Sequence, residues 1–217
     1  MGGNDNDPTC TYEEGTFYLI GEVDERMESL VHVNLTRAEK AGIPTILVYI
    51  STYGGSLDSL YSIYDRFKDS PANIVTISSG KVMSAGILLL TAGQTRLAYP
   101  NTMFMQHNMQ VEGLPEDFWE LEKQVKRLKK HNDKWFTNIA AATKKPVEFW
   151  RDKCKGNDFE FDTEAAIRYG LIDGIMNMKE TMKNEQRELS SGCSGEQDNN
   201  PVPTKRKRRK RKSEKVQ

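Results

Sequence analysis

Apolar positions along the chain change period several times, and each change predicts an element. Residues 16–23, TFYLIGEV, read as a strand. In ERMESLVHVNLTRAEKAG, 25–42, Met27, Leu30, Val31 and Leu35 recur at helical spacing, and Gly42 supplies a stop. PTILVYIST, 44–52, is a continuous apolar run of strand length. The order then repeats. GGSLDSLYSIYDRFKDS, 54–70, is an amphipathic helix opened by two glycines, NIVTISSG, 73–80, is a strand, and SAGILLLTAG, 84–93, is a buried helix-like segment. TRLAYP and TMFMQHNMQ add strands. A long helix follows from about Pro115 to Ala142, with Phe118, Leu121, Val125, Leu128, Trp135 and Ile139 at steps of three and four, interrupted only at Asn132. Strands alternating with helices predict an α/β domain with a mainly parallel sheet.

Charge divides the chain where this periodicity ends. Residues 181–217 hold 11 Lys/Arg against 5 Asp/Glu, which leaves 20 against 26 for 1–180, so the formal charge of zero conceals an acidic body and a basic tail. The tail runs through SSGCSGEQDNNPVPT into KRKRRKRK, too polar to bury a core and too like-charged to collapse, and is expected to be disordered. The expected organisation is therefore a disordered segment over 1–15, a globular domain over 16–180 and the tail over 181–217. With 217 residues and 37% apolar content, one core is the natural reading. No apolar run approaches the roughly 20 residues that cross a bilayer, and the first residues lack the basic and apolar parts of a signal peptide, so a cytoplasmic protein away from membranes is expected. Cys10, Cys154 and Cys193 are odd in number and show no metal-binding spacing, which reads as reduced thiols and no metal.

Three places could carry chemistry. Gly54 and Gly55 follow a strand and open a helix, where backbone N–H groups can hold developing negative charge; the plain alternative is a tight turn. Ser84 falls between a strand and an apolar helix-like run, where an ordinary N-cap would serve as well. Val82 stands two residues before it, so the glycine–x–serine–x–glycine elbow of many hydrolases is not matched. His107 closes a strand, a position more often structural than catalytic.

Taken together, YISTYGGSLDSLYSIYDRF, GKVMSAGILLLTAGQTRLAYPNTMFMQH and TEAAIRYGLIDGI closely resemble, in order and spacing, segments of the proteolytic subunit of the Clp protease, the ClpP family of serine peptidases. The resemblance runs from about Phe17 to Met176. It implies a ClpP/crotonase-type α/β core with a long handle helix, Ser84 as nucleophile, His107 as general base, and Gly54, Gly55 and the Ala85 amide as the oxyanion hole. Counted without gaps, the third position falls on Asn157; a one-residue shift in the loop that contains Gly156 brings in Asp158, which is read as the carboxylate that orients His107, buried and facing the imidazole, with Asn157 as the alternative. No cofactor is implied. The implied substrate is a peptide or unfolded protein, cleaved inside a homo-oligomeric chamber built from heptameric rings, and the implied partner is a Clp-type ATPase.

This chain departs from the family pattern at several points. Tyr53 replaces the usual proline before the two glycines, and Met83 replaces the usual alanine before the serine. The glycine-rich strand that follows the histidine is reduced to NMQVEGLPED, which favours a single ring, and the N-terminal region that helps to dock the ATPase is shortened. The alternatives are a catalytically weak or inactive structural or regulatory subunit, a viral capsid-maturation peptidase, and an acyl-CoA enzyme of the related crotonase superfamily, which the serine-then-histidine order argues against. The run Lys205–Lys212 is expected to bind polyanions in a salt-dependent way.

Overall fold

The computed structural model describes residues 10–110, 113 and 117–176. The basic tail and the first nine residues lie outside the described residues. The described elements are β1 (Cys10–Glu13), β2 (Thr16–Val23), α1 (Glu25–Lys40), β3 (Thr45–Gly55), α2 (Leu57–Lys68), β4 (Asn73–Met83), α3 (Ala85–Leu90), β5 (Thr95–Ala98), β6 (Met103–Gln106), α4 (Phe118–Thr143), α5 (Val147–Lys153), β7 (Phe159–Phe161), α6 (Thr163–Arg168) and β8 (Gly174–Ile175). Part of the N-terminal segment expected to lack structure is thus a strand: β1 pairs antiparallel with β2, and Tyr12 packs its ring 4.8 Å from that of Phe17.

The sheet runs β1–β2–β3–β4–β5–β8, with β6 pairing β4 and β7 pairing β6. Only the β1–β2 and β6–β7 pairs are antiparallel. α1 begins where Asp24 accepts hydrogen bonds from the Arg26 and Met27 amides, satisfying two donors that the first turn leaves free. It buries Met27, Val31, Leu35 and Ala38. α1 lies against β2, α3 against β3 and β4, and α2 touches both helices. Phe17, Leu19, Ile46, Val48, Ile50 and Ile74 project from the strands into this side and are fully buried. The β3 run that reads as continuously apolar therefore alternates in the fold: Leu47 and Tyr49 stand on the other, half-covered face, where Tyr49 stacks on Tyr18 at 5.3 Å.

The two central strands bend at their carboxyl ends. β3 and β4 keep one register from Thr45↔Asn73 to Ile50↔Ser78 and then jump to Thr52↔Val82, with the extra β4 residues around Gly80. β2 and β3 likewise shift between Ile20 and Glu22. Such bulges turn a strand and re-aim its side chains. Consequently β4 pairs β5 along its first half, through Val75–Ser78, and β6 along its second, through Lys81–Met83. The ends of β3, β4 and β6 converge beyond this bend, and the carboxyl ends of parallel strands are where open α/β sheets hold ligands.

α4 matches the expected long helix, and only part of its apolar stripe is buried. Its stripe is covered from Trp135 onward, through Phe136, Ile139 and Ala140, whereas Phe118, Trp119 and Val125 are 68%, 67% and 53% exposed. The interruption at Asn132 has a local purpose: its Oδ1 accepts from the Met109 amide at 3.3 Å and its Nδ2 reaches Asn108 Oδ1 at 3.4 Å, tying the chain after β6 to the helix.

Candidate active site

Ser84 ends β4 and starts α3, but it does not cap the helix. Its backbone is at φ 50° and ψ −119°, and its side chain makes no cap hydrogen bond. Positive φ is costly for a residue with a Cβ and persists only where the surroundings impose it. Here the Ser84 amide donates to Met105 O at 2.9 Å, and Ser84 O accepts from the Ile87 amide at 2.9 Å. The plain alternative of an ordinary N-cap is therefore not what this turn shows: it is a sharp strand-to-helix turn like that of a nucleophile elbow, although the glycine before the serine is absent. The glycine after it is present. A Cβ on Gly86 would lie 2.5 Å from Thr52 Cγ2, so α3 can approach β3 only with glycine there.

The bond from the Ser84 amide to Met105 O also ties this turn to the strand that leads to the histidine. Met83 and Met105 are register partners in β4 and β6, and His107 lies two residues beyond Met105. Gln106, fully buried, donates from Nε2 to His107 O at 3.1 Å. Asn108 donates from Nδ2 to Cys154 O at 2.7 Å, which joins the histidine segment to the end of α5. Asn108 and Asn132 are positioning residues whose roles the sequence does not reveal; Asn132 is marked only as the polar break in an apolar helical stripe, and Asn108 by no signal at all.

The glycine turn closes the other side. Gly54 has φ 115°, and a Cβ there would stand 2.7 Å from Ser84 Cβ and 3.1 Å from Ser84 Oγ. Gly55 has φ 148°, and a Cβ there would collide with Val23 O. The Gly54 amide donates to Thr52 Oγ1 at 2.9 Å, so this N–H already has an acceptor, which shifts the donor role away from Gly54. Its contribution is to leave the room that Ser84 occupies. Gly54→Ala is therefore expected to lower serine-directed labelling by about 10²-fold or more while far-UV circular dichroism stays near wild type, because displacements of about 1 Å at a reacting centre have effects of that size. Wild-type labelling of this variant would show that the turn does not govern access to Ser84.

Ser84, His107, Gly55, Ala85 and Asp158 all line one cleft of about 650 Å³, whose apolar part is made by Leu57, Met105, Met109, Leu128 and Trp135. Asn157 is not among the lining residues. The carboxylate expected to be buried against the imidazole is instead exposed, and His107 Nδ1 is buried without a hydrogen-bond partner. Asp158 is nonetheless close to this region: burial, with the charge of Asp158 adding to it, pushes the Cys154 thiol up to about 12. The Asp158 loop contains Gly156 at φ 82°, with nothing within 4 Å of where a Cβ would be. Chemically, the cleft combines an uncapped hydroxyl on a positive-φ backbone, an imidazole whose buried Nδ1 has no partner, an exposed carboxylate and glycine-lined space beside the hydroxyl.

Comparison with known proteins bears on the family and the fold. A family model described as Clp protease matches residues 6–179. The chain is 30% identical over 171 residues to the ATP-dependent Clp protease proteolytic subunit 1 of Rhodococcus jostii, covering 77% of each chain. It is 28% identical over 169 residues to the proteolytic subunit 3 of Rhizobium johnstonii, covering 76% of this chain and 85% of the relative. Among solved structures, a ClpP1 mutant from Listeria monocytogenes superposes with a TM-score of 0.69 at 25% identity, covering 76% of this chain and 94% of that one. With a family match that spans every described element and a fold shared with a solved member, the chain belongs to the Clp protease family.

Proposed function

We propose that the protein is a serine endopeptidase of the ClpP type. The observation that carries this reading is Ser84: a serine held at positive φ at a strand end, free of any capping bond, in one cleft with His107. In this reading His107 takes the Ser84 proton as Oγ attacks the scissile carbonyl, then returns it to the leaving amine, and water releases the acyl group by the same route in reverse. The Gly55 and Ala85 amides receive the oxyanion, a contribution worth about 3 kcal/mol per donor in typical hydrolases. Asp158 orients and stabilises the imidazolium once its loop closes on Nδ1. Apo sites commonly have long or incomplete catalytic hydrogen bonds that tighten on binding. The test is cleavage of an internally quenched peptide by the purified chain, with products mapped by mass spectrometry; the reading expects two peptides from one internal bond. Intact peptide after prolonged incubation would contradict it.

A second reading, a weakly active or regulatory subunit, is favoured by one feature, the unpartnered Nδ1 of His107. The two separate on turnover.

Assembly into a homo-oligomeric ring, heptameric by family pattern, fits the exposed apolar residues of α4 and the half-covered sheet face bearing Tyr18, Ile20 and Tyr49. Contiguous exposed apolar surface of this kind usually marks an interface. Sedimentation velocity at micromolar concentration is expected to give a species several times the 24.7 kDa monomer mass. A lone monomer peak would contradict the ring. The relatives are named proteolytic subunits of ATP-dependent proteases, which supports a Clp-type ATPase as the partner that delivers unfolded substrate.

A further inference from the structure

The Tyr53 and Glu22 side chains stand on the two flanks of the glycine turn, and the mechanism uses neither. Glu22 is the register partner of Gly54 across β2 and β3, and a Cβ on Gly55 would lie 2.9 Å from Glu22 Cγ, so the Glu22 stem lies directly against the Gly55 backbone. Its carboxylate lines the active cleft and has no ion-pair partner among the described residues. Tyr53 lines the same cleft, is 70% exposed, and holds the Lys81 ammonium 4.3 Å from its ring centroid. The cleft contains a second carboxylate, Asp158, and no lysine or arginine.

From this arrangement we infer that Glu22 and Tyr53 form a cation subsite that selects a substrate lysine or arginine adjoining the scissile bond. The inference rests on the peptidase reading and adds its substrate class. An unpaired carboxylate and an exposed aromatic ring in one cleft are the groups that a guanidinium or ammonium uses: the charge meets the carboxylate while its flat or alkyl part lies on the ring. Lys81 takes up one region of that ring and demonstrates its capacity for a cation. Because the Glu22 stem lies against Gly55, beside which the scissile carbonyl sits in the proposed mechanism, the selected side chain belongs to a residue next to that carbonyl, not to a distant one. A substrate glutamate in the same place meets Glu22 and Asp158 with like charge and is disfavoured.

The test compares three internally quenched peptides that differ at a single residue beside the cleaved bond, arginine, glutamine or glutamate. The expected kcat/KM ratio of arginine to glutamine is about tenfold, the combined effect of an exposed ion pair and a cation–π contact. Glu22→Gln is expected to bring that ratio to within about twofold, Glu22→Lys to place glutamate above arginine, and raised salt to compress the wild-type ratio. The same three peptides, dye-labelled, are measured for binding to the Ser84→Ala protein by fluorescence anisotropy, where the arginine peptide is again expected to bind most tightly. Turnover without charge ranking, or a ranking that survives Glu22→Gln, overturns the subsite and leaves the peptidase reading standing. Charge-ranked, Glu22-dependent binding with no turnover of any peptide supports the subsite and overturns the peptidase reading.

Discussion

Replacing Ser84 by alanine is expected to lower peptide kcat/KM by about 10⁴-fold or more while leaving the fold intact, since removing a triad nucleophile eliminates the covalent route and leaves only residual effects of binding and the oxyanion donors. The fold should tolerate the change well. The Ser84 hydroxyl accepts no cap bond that alanine would lose, and alanine at φ 50° is no more strained than serine. His107→Ala is expected to have a similar effect, and the double variant should be little worse than either single one, because a nucleophile and its base act as a unit. Additive losses would separate the two residues and contradict a shared mechanism. Steady-state hydrolysis of one fluorogenic peptide by the four proteins measures all of this.

The second large effect distinguishes the neighbours Asn157 and Asp158. Asp158→Ala is expected to lower kcat/KM by on the order of 10³-fold, and Asn157→Ala far less, by analogy with other triads. Asp158 lines the cleft and Asn157 does not. A carboxylate can both fix the tautomer and stabilise the imidazolium formed during attack, whereas an amide can do only the first and can present its NH2 instead. Asp158→Asn sharpens the comparison: it keeps shape and removes charge, so a loss close to that of alanine identifies electrostatic stabilisation as the role. A larger effect at Asn157 would make this a serine–histidine–asparagine site.

How much of this was legible before the fold is visible differs by residue. Helix α1 follows from period alone, because its buried face repeats at steps the sequence displays, whereas β2 and β3 follow from apolar runs of strand length that do not show which face is buried. β7 and β8 follow from neither, since three and two residues are too short to show any period. Strand β1 was hidden for a different reason: Cys10–Glu13 alternates only between half-buried and exposed, and its order comes from pairing with β2. At the site, resemblance identifies Ser84 and His107, but the bend that unites them comes from the register jumps in β3 and β4, a tertiary feature with no local code beyond Gly80. Composition likewise cannot reveal that the Gly54 amide is already bonded to Thr52, or that the Asp158 carboxylate is exposed and the imidazole nitrogen unpaired. Those depend on side-chain placement. The uncovered amino-terminal half of α4 was not legible, because periodicity reports that a stripe is apolar and says nothing of whether this chain or another one covers it.

The central claim is that Ser84 is an activated nucleophile, and a fluorophosphonate probe tests it without any knowledge of the substrate. The phosphorus is attacked by an activated serine oxygen with loss of fluoride, so adduct formation reports nucleophile and base together. Intact-mass analysis followed by peptide mapping is expected to find one adduct per chain, located on Ser84, and none on the Ser84→Ala or His107→Ala protein. An adduct on another serine, or no adduct on the assembled wild-type protein after prolonged exposure, would contradict the account.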